Sequence, residues 1–265
     1  MFATIVATAV RYAPLAGVAL LAGALNSIAG GGSFFSFPTL LGFGLPPVNA
    51  NATSTVALWP GQMAAIFAFR RELSTVRRMI TPTIVVAAVG GVAGAVTLLH
   101  TGQQTFLALV PWLLLFGTVM FTLSSLAKRW LDRTTASHEG RPADHLSWKL
   151  LLAMTIVCFY IGYFGAGAGF LIISVLSVLS NITSIHQMNA LKVMANLIAN
   201  CVAVATFILA HAIHWREGLI MMLFAAAGGY FGAAYSLKIN ARYVRGFVIF
   251  AGFAISAYFF WKVYA

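Results

Sequence analysis

"NSIAGGGSFFSFPTLLGFGLPP", Asn26 to Pro47, sets three consecutive glycines and a proline inside a chain that is 61% hydrophobic and only 8% charged. With a mean hydropathy of +0.92, the solvent of such a chain is lipid, and an integral membrane protein is expected. Glycine and proline weaken a helix, and in hydrocarbon each backbone group freed by a break has no water to bond. The interruption needs a purpose, and that purpose decides how the rest of the sequence is read.

Outward from this stretch, apolar windows of the roughly 20 residues that span a bilayer recur at 11–31, 49–69, 79–99, 106–127, 148–165, 185–211, 219–237 and 243–264. Between them lie two short apolar pieces, 33–45 and 170–180. As helices these would reach only ~15–20 Å, short of the ~30 Å of a hydrocarbon core. No stretch is left for a soluble domain. The whole of 1–265 reads as one transmembrane domain, with a first half over about 10–127, a cytoplasmic loop over about 128–147 and a second half over about 148–265. The first window is too long for the apolar core of a signal peptide and is expected to be retained. Cys158 and Cys201 lie in apolar windows with no second thiol at metal-ligand spacing, so no disulfide, metal or cofactor is expected.

A formal charge of +11 would suggest nucleic acid in a soluble protein. Here the basic residues gather in three loops: Arg70, Arg71, Arg77 and Arg78; Lys128, Arg129, Arg133, Arg141 and Lys149; and Lys238, Arg242 and Arg245. Cytoplasmic loops carry this bias under the positive-inside rule. The expected partners are the lipid bilayer and a small anionic solute, with no nucleic acid and with homo-oligomerisation left open.

The two short pieces hold corresponding places in the two halves. Sliding the second half back by about 138 residues lays Gly169 on Gly31, Asn189 on Asn51 and Ala190 on Ala52, and brings "GAGAGF" over "AGGGSF". Paired interruptions of this kind point to a transporter's midplane site. In the first half the loop after the second long helix is basic and the next, at 100–105, is bare. In the second half the first such loop carries only Arg216 beside Glu217, and the next carries Lys238, Arg242 and Arg245. An inverted repeat predicts this swap. It requires the short segments to complete a crossing, giving ten passes with both termini outside; if they return to their own side, there are eight and the repeat is parallel. The preferred fold is an all-α polytopic membrane protein of two inverted repeats, each with four long helices and one short glycine-preceded helix.

Irregular backbone at membrane depth is tolerated where it is buried in protein or lines a watery cavity. A helix starting at Ser33 would aim its N–H groups and positive dipole end at Gly30, Gly31 and Gly32, and one starting near Phe170 would do the same beside Gly167 and Gly169. Two such ends facing one point would make an anion site. The plainer role for these glycines is close helix packing.

All five acidic residues, Glu72, Asp132, Glu139, Asp144 and Glu217, lie in or beside loops, whereas cation transporters place carboxylates on their ion path. Lys192, by contrast, lies well inside 185–211. It shares a face of roughly 120° with His186, Asn189, Asn196 and Asn200, which recur at spacings of three and four. The matching helix of the first half carries Asn51, Ser54 and Gln62, with Pro60 placed to kink it. The plainer roles are interhelical hydrogen bonding for the amides and snorkelling for the lysine.

At these residues the chain resembles the TauE/SafE family of sulfite exporters, also called the toluene sulfonate uptake permease family. The likeness covers nearly the whole chain. It rests on "GALNSIAGGGSF" with Pro38 following, on "ANATST" for the family's Ala-x-Gly-Thr-Ser pattern, on the second glycine-rich turn and on "MNALKVMANL" after it. Ala52 stands where glycine is expected, and the second half has Leu191 and Lys192 in place of the Thr-Ser pair and lacks the proline after its turn. The resemblance implies a secondary transporter, in the inner cell membrane, of small sulfur-containing or organic anions of the sulfite, sulfonate or sulfoacetate type. Alternating access would centre on Asn26, the residues of the two glycine-rich turns, Asn51, Thr53, Ser54, Asn189, Lys192 and Asn196. An anion channel using the same site is the alternative. A membrane-embedded enzyme is less favoured, because His211 and His214 lie at a helix end without an acidic partner.

Overall fold

The computed structural model describes residues 2–28, 31–134, 147–180, 182, 184–235 and 241–265. Among these the chain forms helices and no strands: α1 (Phe2–Ile28), α2 (Ser33–Gly42), α3 (Pro47–Ala68), α4 (Arg70–Thr75), α5 (Arg77–His100), α6 (Gln103–Thr134), α7 (Trp148–Tyr163), α8 (Ala168–Leu179), α9 (Ile185–Leu209), α10 (Trp215–Tyr235) and α11 (Ala241–Tyr264). Four segments among the described residues, Arg77–His100, Gln103–Leu123, Ile185–Leu209 and Tyr243–Tyr264, are long and apolar enough to cross a membrane. In lipid a helix satisfies its own backbone groups, which is why a chain of this composition folds as an all-helical membrane protein.

Both short pieces are helical, as α2 and α8. Two stretches read as loop are helical as well. Arg70 to Thr75 forms α4, and α6 continues past Ala127 to Thr134, because residues 128–134 contain neither glycine nor proline to stop it. The remainder of that loop, 135–146, and Lys238 lie outside the described residues.

The direction of each helix follows from its contacts. Gly32, at the start of α2, lies against Ala22 and Asn26, and Phe43, just past its end, stacks on Tyr12 with ring centroids 6.0 Å apart, so α2 runs back along α1. Tyr12 Oη donates to Glu217 Oε1 at the start of α10 (3.2 Å). The first turn of α3 is held at this same end. Val48 N–H donates to Gln103 Oε1 at the start of α6 (2.8 Å), and Asn49 Nδ2 donates to the Ala212 carbonyl between α9 and α10 (2.9 Å). The opposite end carries α4 with Arg70 and Arg71, and the starts of α5 and α9, joined where Gln187 Nε2 donates to Thr75 Oγ1 (2.9 Å). Leu150 and Met154, early in α7, pack there with Val76, Met79 and Met188. The chain thus has a basic end and a far end. α11 starts toward the basic end, because Arg245 reaches the carbonyls of Phe121 and Thr122 late in α6, while Tyr264 Oη donates to Ala108 O near its beginning (2.8 Å).

The most extensive helix pairs are α1 with α10 and α5 with α7. In both, backbones approach until no side chain fits between them. A Cβ on Gly228 would fall on the Leu20 carbonyl, and one on Gly94 would fall on that of Phe159. Lipid tails are as apolar as leucine, so van der Waals contact at such small-residue faces holds the helices together. The aromatic ring of Phe37 in α2 packs among Phe106, Phe164 and Phe259 at centroid distances of 6.1, 5.6 and 6.4 Å, which anchors the short helix in the core.

Gly94→Leu is expected to drive α5 off α7 and lower the melting temperature in detergent. Gly17→Ala, with nothing within 4 Å of an added Cβ, is expected to be neutral or to stabilise by up to about 1 kcal/mol. A wild-type melting temperature for Gly94→Leu would show that the close approach does not hold the pair.

Candidate functional site

The first glycine-rich turn is packed on protein. Gly31 has φ +96°, a left-handed conformation that glycine adopts without strain, and a Cβ on it would meet Val248 at 3.1 Å. A Cβ on Gly32 would meet the Ala22 carbonyl at 2.5 Å and the Asn26 side chain at 3.1 Å. Gly30 lies outside the described residues. Beyond half-buried Ser33, the N–H groups of Phe34 and Phe35 donate to the carbonyls of Gly31 and Gly32 at 3.1 Å each.

The second turn is built around Gly165 and Gly167, with φ of +77° and +73°. Tyr160 Oη donates to the Ala166 carbonyl at 2.7 Å, and Phe170 N–H donates to Gly167 O at a long 3.3 Å. The two turns approach one another across α6. A Cβ on Gly117 would lie 2.7 Å from Ala166 O and 3.3 Å from the ring of Phe34. Gly169 differs from the other turn glycines, since its missing side chain faces the stem of Lys192, with Cδ 3.4 Å from an added Cβ.

The asparagine, serine and threonine side chains of α3 are engaged by protein. Asn51 Nδ2 donates to the Tyr163 carbonyl (3.1 Å), satisfying an acceptor at the C-terminus of α7 that its helix leaves open. Thr53 Oγ1 accepts from His214 N–H (3.1 Å), and the hydroxyl oxygens of Ser54 and Ser36 are 2.6 Å apart. On α9, Lys192 Nζ donates to Asn189 Oδ1 (2.9 Å), whose Nδ2 donates back to Ile185 O (2.9 Å). Asn196 Nδ2 and Asn200 Nδ2 both donate to Gln62 Oε1, at 3.1 and 3.2 Å.

The antiparallel helices α3 and α9 are therefore pinned together at Gln62. Ser54 lies eight residues before it, and Lys192 lies four before Asn196 on the other helix. At about 1.5 Å per residue these are offsets of ~12 and ~6 Å in opposite directions. Ser54 therefore lies on the far side of the crossing and Lys192 with Asn189 toward the basic end, Asn196 is at the crossing itself, and the two glycine-rich turns meet on either side of Gly117. Gln62, noticed in the sequence only as a matching position, is the acceptor that joins the halves. Its signal was a glutamine inside an apolar window.

A family model for sulfite exporter TauE/SafE proteins matches residues 15–259. The chain is 26% identical over 242 residues to a probable membrane transporter protein of Haemophilus influenzae, covering 91% of each. It is equally 26% identical over 242 residues to the probable membrane transporter protein YfcA of Escherichia coli K12, covering 91% of this chain and 86% of that one. A third relative, probable membrane transporter protein ORF9 of a Sinorhizobium species, is 24% identical over 238 residues, covering 90% and 88%. No solved structure matches the chain significantly.

The two turns should respond differently to a side chain. Gly31→Leu is expected to lower folded yield, by about 1–3 kcal/mol of backbone strain, whereas Gly169→Leu is expected to leave the fold intact and displace Lys192. Size-exclusion profiles and melting temperatures of the two variants, compared in one detergent, check this; equal loss in both would remove the distinction.

Proposed function

The chain belongs to the sulfite exporter TauE/SafE family, and from that premise we propose that it is a multi-pass secondary transporter of the inner cell membrane that moves small sulfur-containing or organic anions of the sulfite, sulfonate or sulfoacetate type. Lys192 carries the reading. It is an ammonium on a membrane-spanning helix, hydrogen-bonded to the neutral Asn189, and among the described residues no carboxylate faces it. A cation at that depth is costly unless compensated. A bound anion supplies the compensation, and the glycine at 169 leaves space beside the lysine stem.

The two halves act as inverted repeats within a single domain. Counterparts about 138 residues apart run in opposite senses: α3 starts at the far end and α9 at the basic end, α5 at the basic end and α10 at the far end. The pairing of α1 with α10 is mirrored by that of α7 with α5. At the crossing, Asn200 donates to Gln62, its own counterpart 138 residues earlier, as expected beside a two-fold axis. These relations favour ten crossings, with α2 and α8 each completing one.

Asn49 and Gln187 are counterparts too, and each ties its helix to a connection of the other half, one at each end. The far end is tied further by Thr53 to His214 and by Tyr12 to Glu217, with Arg216 4.9 Å over the Tyr12 ring. Both latches are made in the described state, and release of one while the other holds is a physical route to alternating access. The basic end is cytoplasmic by the positive-inside rule.

Lys192→Met is expected to lose anion affinity at normal expression, and Lys192→Arg to keep part of it with altered selectivity, because a guanidinium presents a larger planar fork. Binding of sulfite and small sulfonates in matched detergent, at low and high salt, checks this; unchanged affinity in Lys192→Met would place the amine outside the path. For topology, cysteine probes at Leu73 and Asn240 are expected to label from the cytoplasm alone, and labelling from opposite sides would refute the inverted arrangement.

A further inference from the structure

Ser174 of α8 is an exception among the hydroxyls of the membrane helices. Thr55, Thr118, Thr155, Ser177, Thr206 and Ser256 each donate to the carbonyl four residues earlier, at 2.6–2.9 Å. That is how a helical hydroxyl finds a partner without leaving its own helix. Ser174 Oγ is buried and has no hydrogen-bond partner, a costly state that calls for a ligand.

Its level along α8 points to the ligand. Ser177 Oγ lies 3.6 Å from Met188 Sδ, and Gly169 faces the Lys192 stem, so along the helix axis Ser174 falls at a depth between these two contacts of an antiparallel pair. The repeat register agrees. Ser36 and Ser54, 138 residues before Ser174 and Lys192, have hydroxyl oxygens 2.6 Å apart. In the second half the first serine is kept and its partner has become a lysine. The first pair is closed on itself, with Ser36 Oγ donating also to Gly32 O at 3.2 Å. The second pair is a cation and a hydroxyl with no bond between them.

We infer that the charged head of the substrate is bound in the second half alone, between Lys192 Nζ and Ser174 Oγ, while the Ser36–Ser54 pair is structural. This rests on the anion-transport reading and narrows it to singly charged sulfonates and carboxylates and to bisulfite, setting aside sulfoacetate and the sulfite dianion. One ammonium and one neutral donor balance a single negative charge, so the protein selects monoanions, with a sulfonate or carboxylate head, over dianions. A second charge would be buried without compensation.

The test titrates the purified full-length protein in detergent with methanesulfonate and with sulfate at neutral pH and constant ionic strength. Wild type should bind methanesulfonate at least about tenfold more tightly than sulfate, and Ser174→Ala should weaken methanesulfonate by about tenfold or more, since hydrogen bonds to charged groups are the strong class. Ser174→Thr, which keeps the hydroxyl, should retain most of the affinity. Ser36→Ala should leave affinity unchanged while lowering the melting temperature. Equal affinity for the two anions overturns the selection of monoanions. Wild-type affinity in Ser174→Ala, or equal damage from Ser36→Ala, overturns the one-sided site. Lys192→Met separates the two levels. If wild type binds neither anion, the anion-transport reading itself fails; if Lys192→Met binds methanesulfonate as wild type does, the site between Lys192 and Ser174 fails while that reading stands; if it loses binding while Ser174→Ala does not, only the assignment of Ser174 fails.

Discussion

Gln62 Oε1 accepts from both Asn196 and Asn200 where α3 and α9 cross, and the placement of the other polar residues depends on that junction. In a bilayer interior no water competes for the amides, so an acceptor on one helix and donors on another select a single axial position. A slide of α9 by one turn would carry the amides past their acceptor. The junction thereby sets the depth of Lys192 on one side and of Ser54 on the other. It also fixes which end of α9 meets α4 and which meets the start of α10.

The glycine-rich turns are the second constraint, because they end helices in hydrocarbon and leave backbone groups to be matched. Protein matches most of them. Asn51 serves the Tyr163 carbonyl, Tyr160 serves that of Ala166, and the carbonyls of Gly31 and Gly32 take the first amides after the break. The breaks are thus ordered structures in a packed interior, with the ring of Phe34 and the carbonyl of Ala166 meeting on either side of Gly117. Close contact at glycine holds α1 on α10 and α5 on α7.

The two halves share a register and differ in chemistry. At the position where α3 has a serine bonded to another serine, α9 has a lysine held by an asparagine. A strictly symmetric carrier would place two equal sites at equal depth on either side of the junction. Here the charge lies on one side, and in the proposed mechanism the substrate's electrostatic energy depends on which latch is open. The far end, with its additional bonds from Thr53 and Tyr12, is the more tightly closed.

Much of the fold was legible in the sequence because the signals are local. Apolar windows, glycine runs and a lysine among apolar neighbours are properties of a few consecutive residues, and they located ten of the helices and the two breaks. α4 and the extension of α6 to Thr134 were not legible, because charged residues that are good helix formers look the same in a loop as in a surface helix. The partners were beyond reach as well. Asn51 bonds a carbonyl 112 residues away, and Asn196 bonds a side chain 134 residues away. An amide will accept whatever partner the opposite helix presents, so its own sequence cannot name that partner. Which helix lies opposite is decided by contacts between distant glycine faces. The sequence by itself determined a membrane protein with paired interruptions and one misplaced cation. Only tertiary packing decided that the first-half serines close on each other while Ser174 Oγ is left without a partner, because whether a hydroxyl is satisfied depends on the atoms brought to it by the whole fold.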